Sequence, residues 1–116
     1  MMPDGFASFI ELHILHHASE KPVFGLWLIE ELGRHGYRIS PGTLYPLLHS
    51  MESLDLLRNR NSIFNGKIRK YYSITPKGKR HLRRAKRQVA ELIHEVFSEE
   101  DYRLFLRPRT RGRRAS

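Results

Sequence analysis

The chain has 116 residues and no cysteine, which is enough for one modest core and excludes disulfides and thiolate metal sites. Lys and Arg outnumber Asp and Glu by 21 to 12, a formal net charge of +9 that points to a polyanionic partner. No apolar run approaches the length of a membrane span and the start lacks a secretory pattern, so a cytoplasmic protein with no membrane contact is expected.

The first two predicted elements are helices, near Phe6–His17 and Val23–His35, the second punctuated by Gly33 and Gly36. In the second, Phe24, Leu28, Ile29 and Leu32 form a core stripe, with Trp27 off its centre on the side of Glu31. His13, His16 and His17 lie at i, i+3 and i+4, close enough on a helix to share a metal, with Glu11 and Glu20 nearby. No cysteine or fixed motif accompanies them. The expected reading is surface or interface histidines, with no metal and no other cofactor assigned; transition-metal sensing is the alternative.

The third helix is expected over Pro41–Leu54. Ser40 is placed to cap its first turn and Pro41 suits the first helical position, where its missing N–H is an orphan in any case. Leu44, Leu47, Leu48, Met51 and Leu54 make an apolar stripe. The opposite face carries Thr43, Tyr45, Pro46, His49, Ser50 and Ser53, with no acidic group among them. A major groove offers donors and acceptors beside phosphates that repel carboxylates, so this face is compatible with one.

Two strands follow, near Leu57–Ile63 and Lys67–Ile74, joined at Asn65-Gly66, a strong signal for a two-residue turn. Centring the turn there sets Ile63 opposite Ile68 and Leu57 opposite Ile74. Leu57, Asn59, Asn61, Ile63, Ile68, Lys70, Tyr72 and Ile74 then share one face, and Arg58, Arg60, Ser62, Phe64, Lys67, Arg69, Tyr71 and Ser73 the other. Four cations on one face of a ribbon repel by a few tenths of a kcal/mol per close pair, roughly, a cost that a polyanion would offset. From Leu57 to Ala90 there is no Asp or Glu and there are twelve Lys or Arg, whereas residues 1–56 hold seven acids against Lys21, Arg34 and Arg38. Such asymmetry is the footprint of a nucleic-acid surface.

Thr75-Pro76 repeats the cap-then-proline signal and opens a long helix to about Phe97. Leu82, Ala85, Val89, Leu92 and Val96 follow coiled-coil spacing, widened by Ile93 and Phe97. Packing against the chain's own core is one reading. Dimerisation is the preferred one, because a helix of about 33 Å exceeds what a small core covers. Ser98 caps a short final helix through Leu106, and a tail of five arginines follows from Arg107, read as a flexible phosphate-contacting arm or a solubility terminus.

The order helix, helix, helix, two-stranded wing, helix is that of a winged helix-turn-helix domain, an α+β class that is mainly α. S-P-G-T-L-Y-P-L-L-H-S-M-E and K-Y-Y-S-I-T-P-K-G closely resemble the PadR family of bacterial transcriptional regulators, over roughly Phe6 to Leu92. The resemblance implies a homodimeric repressor of a palindromic operator in double-stranded DNA, of the small type without an extended C-terminal domain. Residues 1–75 would be the DNA-binding domain, 76–106 the dimerisation helix with a short final helix, and 107–116 a basic tail. Ser40, Pro41, Thr43, Tyr45, Pro46 and His49 would read DNA from the recognition helix, and Arg58, Arg60, Lys67, Arg69, Lys70 and Tyr71 from the wing. Leu82, Ala85, Val89, Leu92, Ile93 and Val96 would form the dimer contact. Some members release DNA on binding a small aromatic ligand. Members commonly read H-G-Y-E-L in helix 2, where this chain has Phe24-Gly25-Leu26-Trp27-Leu28. Trp27 is read as a residue of the core margin or a subunit contact, with a ligand-stacking platform as the sharper alternative.

An enzyme is not expected, because the carboxylate clusters Glu30-Glu31 and Glu99-Glu100-Asp101 have no matched base, nucleophile or glycine loop. The competing functions are a non-specific nucleoid-type DNA binder and an interaction module for an acidic protein.

Overall fold

A computed structural model describes residues 5–108. Its elements are α1 (Gly5–Glu20), β1 (Val23–Phe24), α2 (Gly25–Arg34), α3 (Pro41–Ser53), β2 (Leu57–Phe64), β3 (Lys67–Ile74), α4 (Pro76–Val96) and α5 (Glu99–Phe105). The chain divides into two compact units, residues 1–85 and 86–116, the division falling inside α4. The last eight residues of the basic tail, 109–116, lie outside the described part. No described helix is long and apolar enough to cross a membrane.

The first unit is built on one core. Ile14, Leu15 and Ala18 come from α1, Leu28 and Leu32 from α2, and Leu44, Leu48 and Met51 from α3. Val23, Leu57 and Tyr72 of the sheet close it, with Leu56 and Leu82. Each fully buried aliphatic side chain contributes about 1.5–3 kcal/mol relative to exposure. Leu82 was expected at a dimer contact and is instead a core residue of its own chain. The cause is the entry of α4: Gly78 lies so close to the Leu56 carbonyl and the Ile74 side chain that any β-carbon would overlap them. That approach brings the next turn of the helix, with Leu82, onto the core.

The sheet has three strands rather than two, in the order β1-β3-β2, all antiparallel. Val23 pairs with Tyr72 and Phe24 with Tyr71, so α2 starts at Gly25 and not at Val23. Two residues are too short to show a strand period, and Phe24 also fits the helical stripe that follows, which is why the strand was not legible. The wing register is the one expected, Leu57 with Ile74 through Ile63 with Ile68. Asn65 and Gly66 have φ of 52° and 75°, the left-handed pair that this two-residue turn requires.

The end of α3 departs from its apolar stripe. Asp55 takes a φ of 63°, Leu56 N–H donates to Met51 O at 2.9 Å and Asp55 N–H to Glu52 O at 2.9 Å, a Schellman cap. The reversal turns Leu54 outward, 53% exposed, and sends Leu56 into the core in its place.

Thr75 ties three elements together while buried. Its hydroxyl donates to Asp55 O at 2.6 Å and accepts from Gly78 N–H at 2.9 Å, and its own N–H donates to Leu56 O at 3.1 Å. Thr75→Val keeps the shape, leaves the Gly78 amide and the Asp55 carbonyl unpaired and removes the α4 cap. It is expected to cost about 2 kcal/mol, seen as a fall of roughly 8 °C or more in the thermal midpoint. An unchanged midpoint would show that the knot carries no stability.

The second unit is small. Ser98 Oγ accepts from Asp101 N–H at 3.1 Å while Asp101 Oδ2 accepts from Ser98 N–H at 3.0 Å, a full capping box that starts α5. Phe97 packs edge-on against Tyr102 and Phe105, each at 6.1 Å between ring centres. Leu92, Val96, Leu104 and Phe105 remain exposed, Leu92 by 57% and Val96 by 61%.

Candidate nucleic-acid interface

Helix α3 presents the expected polar face. Pro41, Thr43, Pro46, His49, Ser50 and Ser53 are exposed, with Leu44, Leu48 and Met51 buried behind them. Ser40 occupies the N-cap position, its carbonyl accepting from Thr43 and Leu44 N–H, but its hydroxyl makes no capping bond. It contacts Thr43 Oγ1 at 3.4 Å instead, so both hydroxyls stand together at the exposed start of the helix. Tyr45 is 45% exposed; the rest of its ring lies on the backbone of Gly25, where a β-carbon would overlap the phenol. Tyr45 therefore fixes α3 against α2 as well as showing an edge to solvent. Glu52, the acid of this helix, is turned away and accepts a hydrogen bond from Asn59 of β2.

The wing resolves its own repulsion. Across the ladder Arg58 faces Ser73, Arg60 faces Tyr71, Ser62 faces Arg69, Asn61 faces Lys70 and Phe64 faces Lys67. No cation lies directly opposite another, the arrangement that costs most in a sheet. Arg58, Arg60, Lys67 and Lys70 are exposed. Arg69 is half-buried, its guanidinium 4.2 Å above the Phe24 ring, and Tyr71 meets the same ring edge-on at 5.4 Å. These two wing residues are thus partly engaged with β1, a contact hidden from the sequence because β1 itself was. Tyr72, on the opposite face, is buried; burial, with Glu52 and Tyr45 beside it, pushes its phenol above the usual range and keeps it neutral.

The basic surface also continues beyond the residues assigned from sequence. Lys77, Lys79, Arg80, Arg83 and Arg84 of α4 are exposed. The acid-free run from Leu57 to Ala90 was the signal for them. Trp27 is half-buried, edge-on to His17 at 5.3 Å between ring centres, with Lys21 Nζ 6.0 Å from its own ring. It packs at the margin of the core between α1 and α2.

Residues 14–84 match the PadR-like family of transcriptional regulators. The chain belongs to that family. Transcriptional regulator Rv3488 of Mycobacterium tuberculosis is 45% identical over 93 residues, covering 80% of this chain and 87% of the relative. A PadR-like transcriptional regulator from Bacillus cereus superposes with a TM-score of 0.71 at 33% identity, over 77% of this chain and 88% of that one. A PadR family regulator from Eggerthella lenta gives 0.69 at 34%, over 77% and 79%. As a PadR-like protein with the winged-helix fold, the chain is a DNA-binding transcriptional regulator and not an enzyme. Its β2–β3 hairpin is the wing of that fold.

Proposed function

We propose that this PadR-like regulator acts in the cytoplasm as a homodimeric repressor of a palindromic operator. The observation that carries the reading is the pairing of two surfaces on one unit: an acid-free polar face on α3 and a wing whose cations are spaced by register. Thr43 and His49, with the free edge of Tyr45, serve as the base readers in this reading. Ser40 and the open amides of the first turn suit an adjacent phosphate. Arg58, Arg60, Lys67 and Lys70 hold the flanking backbone. The exposed Leu92 and Val96, with half-buried Ala85, Val89 and Ile93 on the same helix, supply an apolar contact for a second copy. Two recognition helices would then lie about 34–36 Å apart, one turn of DNA.

Selection of bound genomic fragments, followed by mobility shift at about 0.15 M salt, tests this, because non-specific binding weakens steeply there. A two-fold site upstream of a promoter is expected. Equal shifts of all DNA would make the protein a nucleoid-type binder, and no shift would favour an acidic protein partner. On the selected site, Thr43→Ala or His49→Ala should cost about 1–3 kcal/mol at particular base pairs and little elsewhere, measured by competition with single-position operator variants. Uniform losses across all variants would remove these side chains from base reading. Release by a small planar ligand has an optical test, since Trp27 is the sole tryptophan. Fluorescence unchanged across a panel of planar aromatic compounds would argue against a pocket there.

A further inference from the structure

Four of the seven histidines gather in one corner of the first unit, and the DNA-reading surface uses none of them. His13 and His17 stand one turn apart on α1. His35 comes from the other side, at the C-cap of α2, and its placement is built into the backbone. Gly36, with φ of 89°, lets its N–H donate to Gly33 O at 3.0 Å while Tyr37 N–H donates to Leu32 O at 2.9 Å. This Schellman turn stops α2 with the His35 ring stacked on His13, 4.8 Å between centres. One ring nitrogen from each of His13, His17 and His35 lies within 4.8 Å of the others.

A carboxylate lies beside two of the three. Glu31 Oε2 is 3.2 Å from His35 Nε2 and 3.7 Å from His17 Nε2. His17 Nε2 is buried and has no hydrogen-bond partner, although it faces that carboxylate. Burial holds both the His13 and His17 imidazoles below their usual range, aided by neighbouring histidines and opposed by Glu31. Neutral imidazole is the form that binds a metal.

We infer that His13, His17, His35 and Glu31 form a binding site for a borderline divalent transition-metal ion, with Zn2+ as its reference member. Three imidazoles and one carboxylate suit such an ion, whereas Mg2+ and Ca2+ require oxygen-rich shells. A tetrahedral Zn2+ with Zn–N of about 2.0–2.1 Å needs nitrogens about 3.3 Å apart, so side-chain rotation closes the present spacing without moving either helix far. A competing set, His16, His17 and Glu20, lies along α1 alone, with His16 and Glu20 both exposed. The first set is preferred because it joins two helices and has three imidazoles, two of them half-buried.

The site concerns the free protein and stands apart from the operator reading, so it is tested without DNA. Chelator-treated full-length protein is titrated with Zn2+ by calorimetry against a competing chelator, with Co2+ as a spectroscopic probe. Trp27, 5.3 Å from His17, supplies an independent fluorescence readout. Expected results are one ion per chain, a tetrahedral Co2+ spectrum, a change in Trp27 emission and a raised thermal midpoint. His35→Ala, at an exposed position whose loss leaves the core intact, should weaken binding by about tenfold or more, and Glu31→Gln similarly. His16→Ala and His94→Ala should bind as the wild type does. Absence of binding, or full affinity in His35→Ala with loss in His16→Ala, would overturn the assignment. In the first case the cluster is a hydrogen-bonded packing device, and in the second the ion sits on α1 alone.

Discussion

Placing glutamate at both Leu92 and Val96 is expected to break the proposed dimer and yield a monomer by light scattering. Both side chains are more than half exposed in the single chain, so the substitutions leave the first unit's core untouched. In a two-fold contact they would place four carboxylates in an apolar seam, each costing several kcal/mol unless it finds a partner. Operator affinity should fall by about 10²-fold or more, because each half-site is then bound without the gain of a tethered second one. The melting midpoint of the isolated chain should move little. A wild type that is already monomeric at micromolar concentration would remove the dimer from the proposal.

The second large effect concerns the wing. Arg58, Arg60 and Lys67 are exposed and lie on one face of the ribbon. Changing all three to alanine would remove six phosphate contacts from the proposed two-fold complex. The slope of log affinity against log salt should then decrease by about 5, and affinity near 0.15 M salt by about 10³-fold. Discrimination between operator variants should persist, because the α3 face proposed to read bases is unaltered. A salt slope equal to the wild type's would mean that the wing does not lie on the backbone. Arg69 is left out deliberately: its guanidinium stacks on Phe24, and its loss would disturb the β1 contact as well.

Much of this architecture was legible because its signals are local. Asn65-Gly66 both opens the turn and fixes its centre, and with a period of two that choice assigns every side chain on the ribbon to a face. Pro41 and Thr75-Pro76 marked helix starts for equally local reasons, although Ser40 turned its hydroxyl to Thr43 rather than to the backbone. What could not be read were effects of distant neighbours. β1 exists because β3 offers it an edge, and the turn at Asp55 that puts Leu56 in the core in place of Leu54 is held by Thr75, whose hydroxyl and N–H donate to Asp55 O and Leu56 O. The histidine corner divides in the same way. His13 and His17 share a face by helical spacing, but His35 lies eighteen positions beyond His17 and reaches them only through the packing of α2 on α1.

The shortest strand sets an order of assembly. Val23 pairs with Tyr72, 49 positions on, so that pairing encloses α2, α3 and β2 in one loop. The β2–β3 hairpin closes across two residues and can form within microseconds, roughly, whereas a loop of this length carries an entropy cost that only a nearly complete core offsets. β1 should therefore zip last, with kinetic φ-values near zero at Val23 against higher values in the helices it closes over. Phe24, which carries the Arg69 stack, takes its place only at that final step. The wing would thus gain its fixed footing after the rest of the unit has condensed.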